Sequence, residues 1–266
     1  LCFSDRQFSL RERLNGSGPR GFHWIPERHH ASDLISWTEV RSLVTGQVRL
    51  VPTAAVYMGF DGAGSEHCRA DSNGLAAGNC VEEAILQGIL ELVERDAVAI
   101  WWYNRLRRPG VDLETFVDPW VSAVDRHHRR IGRRMWALDL TSDLGVPCFA
   151  AFSARDVDPA PPWASPRRGH RRGSGSEEIV LGFGAHLEAG IALRRAVAEM
   201  NQMLPTALRT PEKRREQLLP DFRDALDWLS TATRAAHPYL VPDPSAPERR
   251  RDDFDGYRTS DLRDDI

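Results

Sequence analysis

Residues 71–98, DSNGLAAGNCVEEAILQGILELVERDAV, constrain the fold more than any other part of the sequence. A glycine-studded turn runs directly into a long helical pattern that extends over residues 81–104. Taking Glu83 as origin and advancing 100° per residue, Gln87, Glu91 and Glu94 fall at about 40°, 80° and 20°, so these polar groups share an arc of about 80°. Ile85, Leu86, Ile89, Leu92 and Val93 occupy the far side, from about 180° to 300°, and Leu90 borders the arc at about 340°. The result is one amphipathic helix with an acidic polar face. Like charges at these spacings cost a few tenths of a kcal/mol per pair, and Arg95 lies off the arc, at about 120°. The stripe reads either as a solvated face or as a carboxylate cluster for a hard divalent cation. Magnesium takes oxygen ligands and bridges protein carboxylates to substrate phosphates.

The turn bears on that choice. Asn73 and Gly74 tolerate left-handed backbone, and Gly78 lets another group approach the main chain. Asn79 is expected to cap the helix. Free N–H groups at a helix start suit an anion. There is no GxxxxGK[ST] loop, and the sole lysine, Lys213, sits in PEKRRE. A nucleotide would have to be held by another device.

A second strong helix is expected over residues 187–204. From Glu188 the same wheel puts Arg195 near 340°, Glu199 near 20° and Gln202 near 320°. Arg195 and Glu199 form an i,i+4 pair. One reading is a surface salt bridge, worth roughly 0.3–0.5 kcal/mol. The other applies if the two stripes face each other: carboxylates for a metal and an arginine for phosphate then converge.

The remaining sequence sets the frame. Strands are expected at 47–58, broken by Pro52, in RRMWALDLT, and at 147–153 and 179–185. Helices are expected at 112–133 and 213–233. This mixture lacks regular βαβ alternation, so the fold class is α+β, with mixed sheets packed on long helices. We expect a single domain over 1–266 with a disordered insertion near 155–178, where Pro, Gly, Ser and Arg are dense. RRGHRR within it reads as a solvated loop, and VPDPSAPERRRDDFDG near the end reads as similarly unstructured. A net charge of −3 gives no global pointer to nucleic acid or anionic lipid. No apolar run approaches the roughly 20 residues of a membrane span, and no signal-peptide pattern opens the sequence. Cys2, Cys68, Cys80 and Cys148 form no CxxC pair, so a reducing cytoplasm is the expected setting. Trp101, Trp102 and Tyr103 read as core, the pairs His29–His30 and His127–His128 as solvated, and Cys80 as a thiol beside the site without a catalytic role.

The spaced motifs point further. DSNGLAAGN-x-x-EEAILQ-x-x-LELVERDA resembles the YcaO family, ATP-dependent enzymes that modify peptide backbones. SDRQF near the start, W-x-x-x-x-SLVTG-x-x-x-x-VP at 37–52 and LGFGAHL-x-x-x-IALRRAVAE-x-x-Q at 181–202 follow in the family's order. The resemblance implies ATP and Mg2+ held by acidic helices. It matches Glu83 and Gln87 to a Glu-x3-Gln pattern, Arg195 and Glu199 to an Arg-x3-Glu pattern, and Glu91, Glu94 and Arg95 to an ELVER signature. The expected site is therefore Glu83, Glu91, Glu94 and Glu199 for metal, Asn73, Gly74, Gln87, Arg95 and Gln202 for nucleotide, and Arg195 with Glu199 for catalysis. The implied reaction is amide-oxygen phosphorylation during cyclodehydration to thiazoline or oxazoline, or thioamide or amidine formation, on a ribosomally made precursor peptide. A separate leader-peptide-binding protein is the implied partner, and a homodimer is left open. The family's upstream glycine-lysine-glycine stretch and first acidic helix are not visible, so the chain is expected to be N-terminally incomplete. That expectation keeps a second reading open, a non-catalytic peptide-binding or scaffold subunit with a degenerate nucleotide site.

Overall fold

The computed structural model describes residues 3–16, 24–156, 176–209, 213, 223–254 and 261–265. Two compact units are present, Leu1–Ser72 and Asn73–Ile266.

In the first unit, α1 (Asp5–Ser9) is followed by α2 (Arg11–Asn15). A capping box starts α1: Gln7 N–H donates to Ser4 Oγ, and Ser4 N–H donates to Gln7 Oε1 at 2.8 Å. β1 (Trp37–Arg41) pairs antiparallel with β2 (Val48–Pro52), Glu39 facing Leu50. β2 ends at Pro52, as its lost N–H requires, and passes into a 3-10 turn over Thr53–Ala55.

The second unit contains α3 (Val81–Asn104), α4 (Pro119–Arg130), β3 (Arg133–Asp139), β4 (Cys148–Arg155), β5 (Val180–Ala185), α5 (Ala189–Ala207), α6 (Arg223–Thr231) and α7 (Leu262–Asp265). The three strands form an antiparallel sheet in the order β3-β4-β5. Every β4 residue from Cys148 to Ala154 is buried, so both faces of the sheet need apolar cover. On one face Phe149 and Ala151 pack with Ala192, Ala196 and Val197 of α5. On the other, Cys148, Ala150 and Phe152 pack with Ala97 and Trp101 of α3 and with Tyr239 and Leu240. The α+β class read from the sequence is the class observed.

Glycine sets how closely α5 approaches. A Cβ on Gly182 would lie 2.0 Å from Met200 N, and one on Gly184 would lie 2.3 Å from Ala192 O. The LGFG of β5 thus lets a helix backbone rest directly on a strand.

Several expectations are corrected in detail. Cys80, not Asn79, occupies the N-cap position of α3 and makes no side-chain cap bond. Glu83 reaches back instead, accepting from Asn79 N at 2.7 Å and Asn79 Nδ2 at 2.9 Å. A carboxylate near a helix start is the stronger acceptor for these donors. The helix expected at 112–133 is interrupted at Val117, where φ is 49°, and Asp118 starts α4 by accepting from Trp120 N at 2.9 Å. His128 is fully buried rather than solvated. Its Nδ1 lies 2.7 Å from Ser153 Oγ, which also accepts from Arg133 Nε at 2.9 Å.

The proline-rich stretch at 241–254 is folded. Arg249 N donates to Gly110 O at 2.7 Å, Asp112 N donates to Arg249 O at 2.9 Å, and Phe254 enters the core. Its prolines hide two backbone bonds and one apolar anchor that together hold it. Within the expected insertion, 157–175, including RRGHRR, lies outside the described residues; at its ends Arg155 N donates to Glu177 O at 2.8 Å. Of the helix expected at 213–233, residue 213 and α6 are helical, and 214–222 lie outside the described residues.

Candidate active site

β5 is the outer strand of its sheet, and an edge strand leaves backbone N–H groups without a ladder partner. Two glutamates take them. Phe183 N donates to Glu199 Oε2 at 2.7 Å, and Ala185 N donates to Glu94 Oε2 at 3.2 Å. One carboxylate comes from α5 and the other from α3, so the strand edge is the element on which the two stripes meet. Arg195 joins them: its Nη2 donates to Gln87 Oε1 at 2.6 Å and its Nη1 to Ala185 O at 3.2 Å. The convergence posed as a condition in the sequence is therefore present.

The electrostatics follow from this packing. Glu94 is only 9% exposed. Burial, reinforced by the nearby Glu199 carboxylate, pushes its pKa from the usual 4.5 to about 7. Arg95 and the N–H of Ala185 pull the other way but do not prevail. Burial also lowers the pKa of the Arg195 guanidinium from its usual value. Arg195 and Arg95, whose Nη2 lies 3.7 Å from Glu94 Oε1, are the cations beside these two carboxylates at the strand edge.

The other expected residues take different positions. Glu91 accepts from Gly74 N and, at 2.8 Å, from Arg95 Nε, tying the glycine turn to the helix face. Gly74 has a φ of +77°, the left-handed conformation expected of it, and its carbonyl oxygen lies 2.8 Å from where a Cβ on Gly88 would be. The turn therefore packs on α3 at a helical glycine. Glu83 is engaged with Asn79 at the helix start. Asn73 is exposed at the turn, and Gln202 is exposed on α5, beyond Glu199.

Among the described residues, no group of three His, Cys, Asp or Glu side chains is arranged to hold a metal ion. A magnesium ion does not need three, because it binds through one or two carboxylates completed by water and substrate phosphate. Glu94 and Glu199 suit it: a buried carboxyl with its pKa raised to about 7 beside a second carboxylate is a donor pair whose ionised form a divalent cation would favour. Sequence reasoning missed the backbone N–H groups of Phe183 and Ala185. The signal for them was LGFG, whose glycines mark a helix seated on the strand.

Comparisons with known proteins give the family. The family model described as YcaO cyclodehydratase, ATP- and Mg2+-binding, matches residues 6–266. The chain belongs to the YcaO family. ATP and Mg2+ are the ligands of that family, as its spaced motifs implied. A heterocyclase solved in complex with substrate and cofactor is 44% identical, with a TM-score of 0.82, over 100% of this chain and 33% of that one. The heterocyclase TruD is 41% identical, with a TM-score of 0.77, over 100% of this chain and 34% of its own. YcaO from Methanopyrus kandleri, bound with AMPPCP and Mg2+, is 26% identical, with a TM-score of 0.59, over 91% of this chain and 57% of that protein. The chain spans 42% and 40% of the length of two curated relatives that it matches. Among the described residues, no helix is long and apolar enough to cross a membrane.

Proposed function

We propose that this YcaO chain carries the ATP- and Mg2+-binding core of an enzyme that modifies backbone amides of a ribosomally made precursor peptide, by cyclodehydration to an azoline or by the related thioamide or amidine chemistry. The observation that carries the reading is the meeting of Glu94, Glu199, Gln87 and Arg195 on the β5 edge. Heterocyclases 44% and 41% identical over the whole chain support the reaction class.

A backbone amide oxygen is a poor leaving group. Attack of a Cys, Ser or Thr side chain on the carbonyl carbon places negative charge on that oxygen. That oxygen attacks the γ-phosphorus of ATP and ADP leaves; the attacking side chain gives up its S–H or O–H proton, and expulsion of phosphate with loss of the amide proton forms the C=N bond. The net change in the peptide is loss of one water. Magnesium, when bound, supplies positive charge to the phosphates. Glu94 and Glu199 would hold it, with Glu91 and Glu83 as the remaining acidic residues of the α3 stripe. Arg195 would offset charge on the transferring group, and Gln87 fixes its guanidinium plane. Arg95, Gln202 and the Asn73–Gly74 turn would bind the nucleotide. We assign a leader-binding partner protein, self-association as a homodimer and a cytoplasmic setting to the same reading.

The test is to incubate the chain, with its leader-binding partner, with ATP, Mg2+ and candidate precursor peptides, then weigh the products. The expected result is ATP-dependent loss of about 18 Da, the mass of water, with an azoline product. Glu199→Gln is expected to reduce turnover at least a hundredfold, the scale of losing a positioned charge at a phosphoryl-transfer site, with an unchanged circular dichroism spectrum. No Mg2+-ATP binding by calorimetry, together with no turnover on any peptide, would favour the scaffold reading instead.

A further inference from the structure

α5 seats on β5 through small residues. Gly182 and Gly184 admit its backbone, and Ala192 and Ala196 of the helix lie against the sheet. Such a surface permits close approach but offers few side-chain ridges to fix how the helix is turned about its axis. Glu199 nevertheless has to meet the N–H of Phe183 at 2.7 Å, and one residue of helix is about 100° of rotation. A buried polar chain that the reaction above does not use is attached to α5 where that rotation is set.

The chain runs from β3 through β4 and α4 to α5. Arg133 anchors it: Nη2 donates to Ser153 O at 2.8 Å and to Glu178 O at 2.7 Å, and Nε donates to Ser153 Oγ at 2.9 Å. The buried His128 comes next, with Nδ1 2.7 Å from Ser153 Oγ and Nε2 3.3 Å from Asn201 Oδ1. An amide oxygen only accepts, so Nε2 carries a proton. Burial, reinforced by the Arg133 cation and opposed by the bond to Asn201, holds the His128 pKa below its usual 6.5. The ring is therefore neutral at neutral pH, and Nδ1 accepts from the Ser153 hydroxyl. Each link has one direction, from guanidinium to hydroxyl to imidazole to amide. The chain ends on α5 beside the residues that matter. Glu199 takes the Phe183 N–H, the backbone of Met200 rests on Gly182, and Asn201 takes His128.

We infer that His128 and Asn201 are positioning residues, which fix the rotation of α5 and so hold Glu199 on the edge of β5. The inference rests on the α3–α5 site proposed above and adds the groups that aim its second carboxylate. His128 suits the task because it is held from both sides. Ser153 lies on β4 directly opposite Val180 of β5, so the imidazole ties α5 to the same sheet whose edge Glu199 must reach.

The test substitutes Asn201, which is only half-buried, so the variants keep the fold. Asn201→Leu removes the acceptor at similar volume, and Asn201→Asp keeps an acceptor for the Nε2 proton. Two readouts are followed on the full chain at neutral pH. The amide proton shift and hydrogen exchange of Phe183 report where Glu199 sits without any ligand, and calorimetry gives the affinity for Mg2+ with a non-hydrolysable ATP analogue. In Asn201→Leu we expect the Phe183 amide proton to move upfield and exchange about tenfold faster, and the affinity to fall about tenfold, the scale of one hydrogen bond to a charged group. Asn201→Asp should keep both at wild-type values, which a general loss of stability would not allow. An unmoved Phe183 amide in Asn201→Leu, an affinity unchanged while that amide moves, or an Asn201→Asp variant as impaired as Asn201→Leu would overturn the inference. A wild type that binds no Mg2+-nucleotide would sink the α3–α5 reading instead, and the Phe183 amide would still decide whether Asn201 positions Glu199.

Discussion

Glu94→Gln isolates the electrostatic stress in the α3–α5 site. In the folded chain the Glu94 carboxyl titrates at about 7, against a usual value of 4.5. Its folded pKa lies above the unfolded one, so between these values the folded state holds a proton that the unfolded state has released. Stability therefore falls as pH rises from 4.5 to about 7 and is flat in this term on either side. Over that window the one carboxyl contributes a loss of about 3 kcal/mol, from 1.36 kcal/mol per pH unit. The amide of Gln keeps an acceptor for Ala185 N without the charge. Urea unfolding of both proteins across pH 4.5–8 measures the difference. The variant is expected to gain on the wild type as pH rises, reaching about 3 kcal/mol near pH 8. Saturating Mg2+ with nucleotide should stabilise the wild type more than the variant. Parallel pH profiles would show that Glu94 is not strained by burial beside Glu199, and the reasoning would fail.

The glycines of β5 give a second test. Gly182→Ala forces a Cβ to within 2.0 Å of Met200 N and is expected to cost about 3 kcal/mol or more by denaturant unfolding. Gly190→Ala, in the first turn of α5 with nothing within 4 Å of the new Cβ, is expected to be neutral or to stabilise by up to about 1 kcal/mol. Asp118 caps α4 and binds Arg194 Nη2 at 2.8 Å, so Asp118→Ala should lower stability by about 1–2 kcal/mol in the same assay. Most of that loss should persist in high salt, because the helix cap outweighs the exposed ion pair.

Much of this site was legible because its side chains lie on long helices. The polar arc from Glu83 to Glu94 and the pair Arg195–Glu199 are set by a period of 3.6 residues, which needs no tertiary information. Whether the arcs would meet was not legible, because the element that joins them is the N–H edge of β5, which the glycines of LGFG mark only indirectly, as a strand on which a helix rests closely. The same blindness hid the fold of 241–254, where Phe254 anchors a segment whose prolines and charges read as loop. His128 was misjudged because adjacent histidines diverge on a helix: one faces water while the other is carried inward to Ser153. β1 escaped notice because WTEVR has an exposed face and is stabilised by its register with β2.

The central claim is that carboxylates from two helices form one cation site on a strand edge. A double-mutant cycle of Glu94→Gln and Glu199→Gln, read by calorimetry of Mg2+-nucleotide binding at pH 8, tests it most directly. Our account predicts that each single change weakens binding and that the double variant is far less impaired than the sum of the two, with a coupling above about 1 kcal/mol. Additive losses, or binding indifferent to both substitutions, would contradict it.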